Sequence, residues 1–414
     1  MRFPRLLTPV LTACIIGSAC FAADPATLGF DPERLARLDT TLQASVEQQE
    51  LAGGVMYVAR DGQIVQLKPF GYRDVEAKQP MTADTIFRIA SMSKAVTSVA
   101  IMMLYEEGRL MMHDPVSKFI PGFKNSVVAV PPPAGSSPGT PYTTVPVKRP
   151  IQIRDLLTHM AGLTYGDGPA VEDYKRAGLH GWYFADKDET LADVIDRLAR
   201  LPLHGQPGEA WQYGYATDVL GRVVEVVSGQ PLDEFFATRI FAPLQMPDTC
   251  FFLPRDKVNR LAKVYGREGG RLVVGSQGHY VDGPRKCFSG GAGLLSTAAD
   301  YGRLLQMLLN GGTLDGARVL SPKSVQLMTA NHTGDKYGGD RGAFGLGFWV
   351  TTDVGAAGEL GSEGAYGWGS AYFPQYVVDP KERLVAFLMT QLMPAGGSNL
   401  NQRIKVLTYQ ALVR

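Results

Sequence analysis

The fold is decided by the stretch SMSKAVTSVAIMMLYEEG, residues 91–108. Almost every position after Lys94 is apolar or small, so the pattern predicts a helix over residues 91–107 that is buried on nearly all faces. Gly108 then ends this helix. Ser91 and Lys94 lie three positions apart, and a helix places such a pair on one face, about one turn apart.

Strand patterns lie near both ends of the chain, and helical patterns lie between them. Apolar runs and turn signals predict strands at residues 54–60, 63–70, 343–352, 368–378 and 383–390, with a hairpin turn at Asp61-Gly62. Periodicity and end signals predict helices at residues 32–49, 191–200, 215–228, 297–309, 324–329 and 402–412. Residues 124–150 are rich in Pro, Gly, Ser and Thr, which indicates an insertion loop.

This arrangement predicts an α+β fold with two lobes in one domain, residues 23–414. The simplest architecture is an antiparallel β-sheet made from the two ends of the chain, about residues 30–120 and 285–414, and flanked by helices. An all-helical lobe, about residues 121–284, is inserted between them. Pro374 lies inside one predicted strand, which predicts an edge strand or a bulge there.

Composition indicates a globular chain without a nucleic-acid partner. The chain has 414 residues, of which 45% are hydrophobic and 20% are charged, and its formal net charge is +1. This length allows a large buried core, and near-neutrality gives no reason to expect nucleic acid. The six histidines are scattered, and we expect no metal and no cofactor. The sequence carries no signal for an oligomeric state.

Residues 1–22 have the pattern of a signal peptide. Two arginines precede an apolar run at residues 6–19, and CFA at residues 20–22 offers small residues at the cleavage offsets. The run is shorter than the roughly 20 residues of a membrane span. Cys14 ends a lipoprotein-like LTAC sequence, but few apolar residues precede it. We therefore expect an exported protein, periplasmic or secreted, rather than a lipid-anchored one.

Cys250 and Cys287 are the two cysteines of the predicted mature chain. The compartment outside the cytoplasm permits a disulfide between them. The sequence does not fix their distance, so a disulfide and two buried thiols both remain open.

Three short segments could together carry nucleophilic catalysis. Ser91 lies where the first N–H groups of a helix are free, which suits a developing oxyanion, and a neutral Lys94 could take its proton. The alternative is that Ser91 is an ordinary N-cap. Tyr213 lies on a turn before a helix and could relay a proton, or it could be an ordinary amphipathic tyrosine in a helix-entry loop. Residues 364–371, GAYGWGSA, open a strand that could supply an oxyanion donor, or they form a Gly-rich hairpin.

The order of these segments resembles the serine β-lactamase-like superfamily, the penicillin-recognising fold. Its marks are S-x-x-K, then Y-x-N or Y-x-x, then K-T-G or W-x-G. Within this superfamily the chain is most similar to the family VIII carboxylesterases, which are related to class C β-lactamases. Two further segments are typical, namely IRDLLTH at residues 153–159 and SGGAGLLST at residues 289–297.

The resemblance implies a role for each segment. Ser91 would form the acyl-enzyme, while Lys94 and Tyr213 would share general acid–base work. The N–H groups of Ser91 and Ala371 would form the oxyanion hole. The remaining residues expected to contact substrate are Tyr215, Trp368, Gly369 and Ser370.

Three departures from the β-lactamase pattern bear on the substrate. Tyr215 stands where β-lactamases usually carry Asn, and Trp368 stands where they usually carry Lys. A Lys there would pair with the carboxylate of a penicillin, whereas Trp offers an apolar face. Ser370 replaces the glycine of W-x-G. The sequence thus favours a carboxylesterase for short-acyl, uncharged esters. The alternatives are a class C-like β-lactamase or DD-peptidase-type acyl transferase, and a non-catalytic binding module on the same fold.

Two other features imitate catalytic motifs. GSSPG at residues 135–139 matches the G-x-S-x-G elbow, but that motif needs a strand before it and a helix after it, and here it follows three prolines. We interpret it as a chance match. His159 could be a triad base, but at an apolar helix end we expect a structural, hydrogen-bonded histidine.

Overall fold

The computed structural model describes residues 23–137, 141–395 and 397–413, so the predicted signal peptide lies outside the described residues. Over this part of the chain the helices are α1 (Pro32–Glu47), α2 (Ser93–Glu106), α3 (Ile153–Leu157), α4 (Val171–Arg176), α5 (Leu191–Leu198), α6 (Ala216–Ser228), α7 (Leu232–Phe236), α8 (Ala298–Leu309), α9 (Pro322–Met328), α10 (Val354–Ala357) and α11 (Leu400–Tyr409). The strands are β1 (Gly53–Arg60), β2 (Gln63–Asp74), β3 (Gln79–Pro80), β4 (Ile86–Arg88), β5 (Val127–Val130), β6 (Thr143–Pro146), β7 (Tyr265–Glu268), β8 (Arg271–Val274), β9 (Leu295–Thr297), β10 (Thr313–Leu314), β11 (Ala317–Arg318), β12 (Ala343–Phe344), β13 (Trp349–Val350), β14 (Tyr366–Gly369), β15 (Gln375–Asp379) and β16 (Leu384–Met389).

The largest sheet joins the two ends of the chain, as predicted. Among the described residues it has eight strands in the order β12-β13-β14-β15-β16-β1-β2-β3, and every neighbouring pair is antiparallel. The β1–β2 hairpin turns at Asp61 and Gly62, whose φ angles of 53° and 76° suit a two-residue hairpin turn. The pairing of β1 with β16 runs from Val55–Met389 to Arg60–Leu384. The predicted α+β class, an antiparallel sheet flanked by helices, is confirmed.

Helices cover both faces of this sheet. On the outer face α1 and α11 pack against each other, and Leu38 and Leu42 of α1 are buried in one cluster with Met56 of β1. On the inner face α8 packs against β1, β15 and β16. Gly302 allows this approach, because a Cβ there would lie 2.5 Å from the ring of Tyr57. The helix α2 is buried along nearly its whole length and packs against α6, so the predicted buried helix is confirmed.

The predicted helix at residues 91–107 begins two residues later than expected. Ser91 lies in a single 3-10 turn, Ala90–Met92, and α2 follows from Ser93. Met92 occupies the N-cap position of α2. Ser91 is therefore not the N-cap of α2, and its hydroxyl is not used to cap this helix.

Two predicted strands divide into hairpins. Residues 343–352 form β12 and β13, because Gly347 turns the chain with a φ of 98° and the N–H of Gly345 donates to the carbonyl of Phe348 at 2.7 Å. Residues 368–378 divide into β14 and β15 around Pro374, whose carbonyl accepts the N–H of Ser370 at 2.8 Å. The prediction of an edge strand or bulge at Pro374 is wrong. Strand β14 lies inside the sheet, between β13 and β15, and Pro374 lies in the turn that connects β14 to β15.

The middle of the chain is not purely helical. Helices α3 to α7 lie there, but so do two hairpins, β5 with β6 and β7 with β8. The β5–β6 hairpin forms inside the predicted insertion loop, and Val128 also bridges to Leu203. The apolar run of β5 has only four residues, so the prolines that follow it made the whole segment resemble a loop in the sequence. The all-helical description of residues 121–284 is therefore corrected to helices with two hairpins.

The two cysteines do not pair. Cys250 and Cys287 are free thiols, so the disulfide alternative is contradicted. Burial raises the pKa of Cys250 to about 11 and also raises the pKa of Cys287, which keeps both as neutral thiols. No helix in the described ranges combines the length and apolarity needed to cross a bilayer.

Candidate active site

Ser91 lies on a turn that is fixed by backbone hydrogen bonds within the turn and to a neighbouring segment. The N–H of Met92 donates to the carbonyl of Ile89 at 2.9 Å, and the N–H of Ile89 donates to the carbonyl of Leu294 at 3.0 Å. Ala90, directly before the serine, has a φ of 37°, which a residue with a Cβ rarely adopts. Strand β14 packs against this turn. The half-buried Ser91 hydroxyl is thus presented at the end of α2, beside β14.

Lys94 is buried one turn after Ser91 and has three hydrogen-bond acceptors. Its Nζ donates to Ser91 Oγ at 3.3 Å, to the hydroxyl of Tyr165 at 3.1 Å and to the carbonyl of Gly291 at 2.8 Å. These acceptors match the three N–H bonds of an ammonium group. The same atom lies 4.7 Å from the ring centre of Tyr213, within the range of a cation–π contact.

Tyr213 reaches Lys94 because Gly214 allows the loop that carries Tyr213 to contact the loop at Leu163 and Thr164. A Cβ on Gly214 would lie 2.6 Å from the carbonyl oxygen of Leu163 and closer still to the backbone of Thr164. The close approach brings the rings of Tyr165 and Tyr213 edge to face, with centroids 5.6 Å apart. The structure therefore brings together Ser91, Lys94 and Tyr213, the three residues predicted to be catalytic.

The third predicted segment runs from β14 into a tight turn beside the same residues. The indole Nε1 of Trp368 donates to the hydroxyl of Tyr213 at 3.1 Å. Gly369 ends β14, and the hydroxyl of Ser370 accepts the N–H of Tyr372 at 3.1 Å, so this side chain stabilises the turn. Within the described residues the N–H of Ala371 has no hydrogen-bond acceptor. This free donor is what the predicted oxyanion role requires.

The structure contradicts the expected contact between Tyr215 and substrate. Tyr215 has no exposed surface, and its hydroxyl donates to the carbonyl of Gly181 at 2.6 Å. Its ring packs edge-on against Tyr165 at 5.1 Å and stacks on Phe184. Burial raises the pKa of this phenol well above its ordinary value. Tyr215 therefore packs against Tyr165 and has no exposed surface for a substrate to contact.

Sequence reasoning missed two polar residues of the site. Tyr165 bonds Lys94 directly, and burial raises the pKa of its phenol, which keeps the ring neutral. Asp218 on α6 is fully buried and accepts the hydroxyl of Ser289 at 2.6 Å and the N–H of Gly291 at 3.0 Å. Burial raises the pKa of Asp218, and the positive charge of Lys94 opposes that rise. The SGGAG segment was a usable signal, since its glycines allow Asp218 to approach this backbone.

His159 is buried among aromatic rings rather than paired with a serine. Its ring lies 4.8 Å from that of Tyr213 and 5.8 Å from that of Trp211. Burial, and secondarily the charge of Lys94, lowers its pKa well below the ordinary value, so the imidazole is neutral. Its Nδ1 has no hydrogen-bond partner in the described part of the chain, so it is a packing residue rather than the hydrogen-bonded one expected.

The G-x-S-x-G match also stands outside this site. Residues 135–137 lie in an exposed loop, and residues 138–139 lie outside the described residues. Ser136 donates its hydroxyl to the carbonyl of Pro133 at 2.7 Å. In the described ranges, no group of three His, Cys, Asp or Glu side chains is placed to hold a metal ion.

A serine directly before a helix, a buried lysine one turn later and a tyrosine ring over that lysine define a serine hydrolase of the β-lactamase fold. Residues 38–409 match the Beta-lactamase family, and the chain belongs to this family. Protein Rv1367c of Mycobacterium tuberculosis is 38% identical over 364 residues, which cover 83% of this chain and 86% of the relative. Esterase EstB of Burkholderia gladioli is 31% identical over 412 residues, covering 94% and 96%.

A solved structure supports the same assignment. EstCE1, described as a hydrolase with promiscuous acyltransferase activity, superposes with a TM-score of 0.78 at 28% identity. The match covers 91% of this chain and 99% of EstCE1.

Proposed function

We propose that this protein is a serine carboxylesterase that hydrolyses small, uncharged, short-acyl esters through an acyl-Ser91 intermediate. One observation carries the choice of a neutral substrate. Among the described residues that touch Ser91, Tyr213 or Trp368 by a hydrogen bond or a ring contact, Lys94 is the one cation, and all its N–H bonds have acceptors. No side chain of this set is free to pair with a substrate carboxylate.

The geometry supports a two-step mechanism. Tyr213 acts as a phenolate with Lys94 beneath its ring. It accepts the proton of Ser91 and becomes a phenol while Oγ bonds to the acyl carbon of the ester. The negative oxygen of the tetrahedral intermediate faces the N–H groups of Ser91 and Ala371. The carbon–oxygen bond to the alcohol then breaks, and the alcohol leaves with the proton held by Tyr213. Water repeats the sequence on the acyl-enzyme and releases the acid and free Ser91.

Two relatives named as esterases support an ester as the substrate. EstB is named an esterase, and a relative from Penicillium rubens, 31% identical over 307 residues, is named lovastatin esterase. We propose further that residues 23–414 act as one catalytic domain on a small-molecule ester. On the pattern of residues 1–22 we propose that the enzyme is exported. A class C-like β-lactamase remains the competing activity for the assay below.

Replacing the nucleophile tests this proposal. We expect Ser91→Ala to lower the turnover of p-nitrophenyl acetate and butyrate by at least about 10³-fold, because no acyl-enzyme can form. The wild type should be labelled by a fluorophosphonate and the variant should not. Ser137→Ala is the matched control, since it removes the serine of the chance elbow, and it should keep wild-type rates.

Three results would contradict the proposal. Ester turnover retained by Ser91→Ala would show that Ser91 is not the nucleophile. Nitrocefin turnover faster than ester turnover would favour the β-lactamase. Wild-type protein that a fluorophosphonate does not label would point instead to a non-catalytic binding module.

A further inference from the structure

We propose that the alcohol half of the substrate is an aryl or arylmethyl alcohol, such as benzyl alcohol, and that Tyr337 determines this specificity. The ring of the alcohol is received by an aromatic surface formed by Trp211, Tyr337 and Trp368. The inference rests on the proposed function and deepens it, because it names the class of alcohol that the ester carries. Tyr337 lies in the polar stretch NHTGDKYGGDR, residues 331–341, which carries no sequence signal for such a role.

The alcohol side of the ester faces these rings. Its oxygen must lie beside Tyr213, because this tyrosine returns the proton to the leaving alcohol. Trp211 stacks on the ring of Tyr213 with centroids 5.7 Å apart, and the ring of Trp368 lies 5.3 Å from it. The carbonyl oxygen of the ester is bound separately, at the N–H of Ala371. The substituent on the alcohol oxygen therefore has the aromatic surface as its neighbour.

Phe344 supports the aromatic surface from the protein interior. It is 1% exposed, and its ring meets those of Tyr337 and Trp368 edge-on at 5.2 Å each. The ring of Trp211 lies 5.7 Å from it. Trp211, Tyr337 and Trp368 are themselves only half-buried, so part of each side chain is open to a ligand. One buried ring thus joins three accessible rings into a single patch.

Backbone hydrogen bonds fix the loop that carries Tyr337 against β12. The N–H of His332 donates to the carbonyl of Phe344 at 3.0 Å, and the N–H of Phe344 donates to the hydroxyl of Thr333 at 3.0 Å. The ring of Tyr337 then packs against Trp211, with centroids 4.9 Å apart. Tyr337 is therefore in place before a substrate arrives, and binding costs little ordering of this side chain.

The spacing of the rings favours a flat aromatic group over a cation. The ring of Tyr337 lies 4.9 Å from that of Trp211 and 6.4 Å from that of Trp368, and these are the separations of rings in direct contact. A quaternary ammonium group binds inside a cage of rings, and here the rings fill that space themselves. An added aromatic ring instead packs on the open side of the patch. It gains the edge and face contacts that a saturated ring of the same size lacks.

The test compares benzyl acetate with cyclohexylmethyl acetate, whose alcohols are similar in size and in chemical reactivity. Both esters form the same acetyl-enzyme, so the ratio of their kcat/KM values reports on the steps up to release of the alcohol. We expect the wild type to favour benzyl acetate about tenfold, the gain from aromatic contacts.

Three variants connect this preference to Tyr337. We expect Tyr337→Leu to lower the benzyl-to-cyclohexylmethyl ratio by at least about threefold, because the side chain stays apolar but loses its ring. Tyr337→Phe restores the ring and should restore the ratio. Tyr72→Leu, at an exposed tyrosine on β2, is the matched control and should keep the wild-type ratio.

Equal kcat/KM values for the two esters, or an unchanged ratio in folded Tyr337→Leu, would overturn the inference. A higher kcat/KM for acetylcholine than for benzyl acetate would show that the rings select a cation instead. Titration of tryptophan fluorescence with benzyl alcohol and with cyclohexylmethanol makes the same comparison without any ester, since Trp211 and Trp368 belong to the surface. If no ester is hydrolysed, the proposed function fails. Tighter binding of benzyl alcohol, weakened in Tyr337→Leu, would still support the aromatic surface, and equal binding of both alcohols would contradict it.

Discussion

Asp300 shows how strongly burial acts on a single carboxylate in this protein. It lies in the first turn of α8 and accepts the N–H of Asp248 at 2.7 Å and the hydroxyl of Thr249 at 3.0 Å. Burial nevertheless raises its pKa from 3.8 to about 6. Between these two values the folded state binds the proton that the unfolded state has released. Asp300 therefore favours folding at acid pH, and that contribution is lost as the pH rises through about 6.

We predict that Asp300→Asn removes a pH dependence of stability. The pKa difference corresponds to about 3 kcal/mol of unfolding free energy, lost by the wild type between about pH 4 and pH 6. The amide oxygen of asparagine can accept both hydrogen bonds, so the variant should show a flatter profile over this range. Urea unfolding followed by circular dichroism at several pH values measures the effect, with the exposed Asp335→Asn as control. Parallel profiles for wild type and Asp300→Asn would contradict it.

Some site residues were accessible from the sequence and others were not. Ser91 and Lys94 have the S-x-x-K spacing, which is weak evidence by itself. The ordered resemblance to the serine β-lactamase-like superfamily, which includes Tyr213, indicated all three residues. Tyr165 and Asp218 act through contacts made across the fold. Tyr165 contacts Lys94, and Asp218 accepts the hydroxyl of Ser289 and the N–H of Gly291. Periodicity carries no information about such contacts. The same limit explains Tyr215, whose burial depends on rings from other loops.

At the scale of elements, turns were harder to predict than helices and strands. The β1–β2 hairpin was predicted because Asp61-Gly62 is a strong turn signal between two long apolar runs. The turns at Gly347 and Pro374 were missed, because apolar residues on both sides made each region resemble one strand. The β5 strand was missed because four residues are too few to show a pattern. Hydrogen bonds within the turns, from Gly345 to Phe348 and from Ser370 to Pro374, close the two missed turns, and β5 is fixed by its pairing with β6.

The loop around Gly214 is an element whose geometry should control activity. We predict that Gly214→Ala lowers kcat/KM by about 10²-fold, because a methyl group would push Tyr213 away from the Tyr165 loop, and misplacement by about 1 Å has this effect. It should also lower the unfolding free energy by about 1–3 kcal/mol through overpacking. Gly355→Ala, at an exposed site, is the matched control for both measurements. Wild-type kcat/KM in a folded Gly214→Ala variant would show that the close approach does not position Tyr213.

At the scale of the whole molecule, one hydrophobic core links the sheet to the helical region. The same buried cluster contains Tyr57 and Phe387 of the sheet, Val96 of α2 and Val219 of α6. The predicted two lobes thus share their interior, although the sequence pattern separated them. Ser91 lies where β14 meets the end of α2, at the boundary between these two regions.

A shared core predicts that the molecule unfolds as one unit. Three of the four tryptophans, Trp182, Trp211 and Trp368, lie in the aromatic clusters near Ser91, so tryptophan fluorescence reports mainly on the site. Far-UV circular dichroism reports on the whole chain. We expect the two signals to change together in urea, with midpoints that agree. A fluorescence transition clearly ahead of the dichroism transition would indicate that the site region unfolds separately.

The strained Ala90 has a consequence for laboratory evolution. Its positive φ destabilises the folded state by about 1–3 kcal/mol, and the surrounding Val264, Ala292 and Tyr372 hold it in place. Glycine would adopt this conformation without strain, so a screen for heat tolerance alone should favour Ala90→Gly. The same change would make the backbone before Ser91 more flexible, and this backbone fixes the orientation of the Ser91 hydroxyl. Selection for heat tolerance should therefore favour glycine at position 90, and selection for turnover should favour alanine. Selection for both properties should retain alanine.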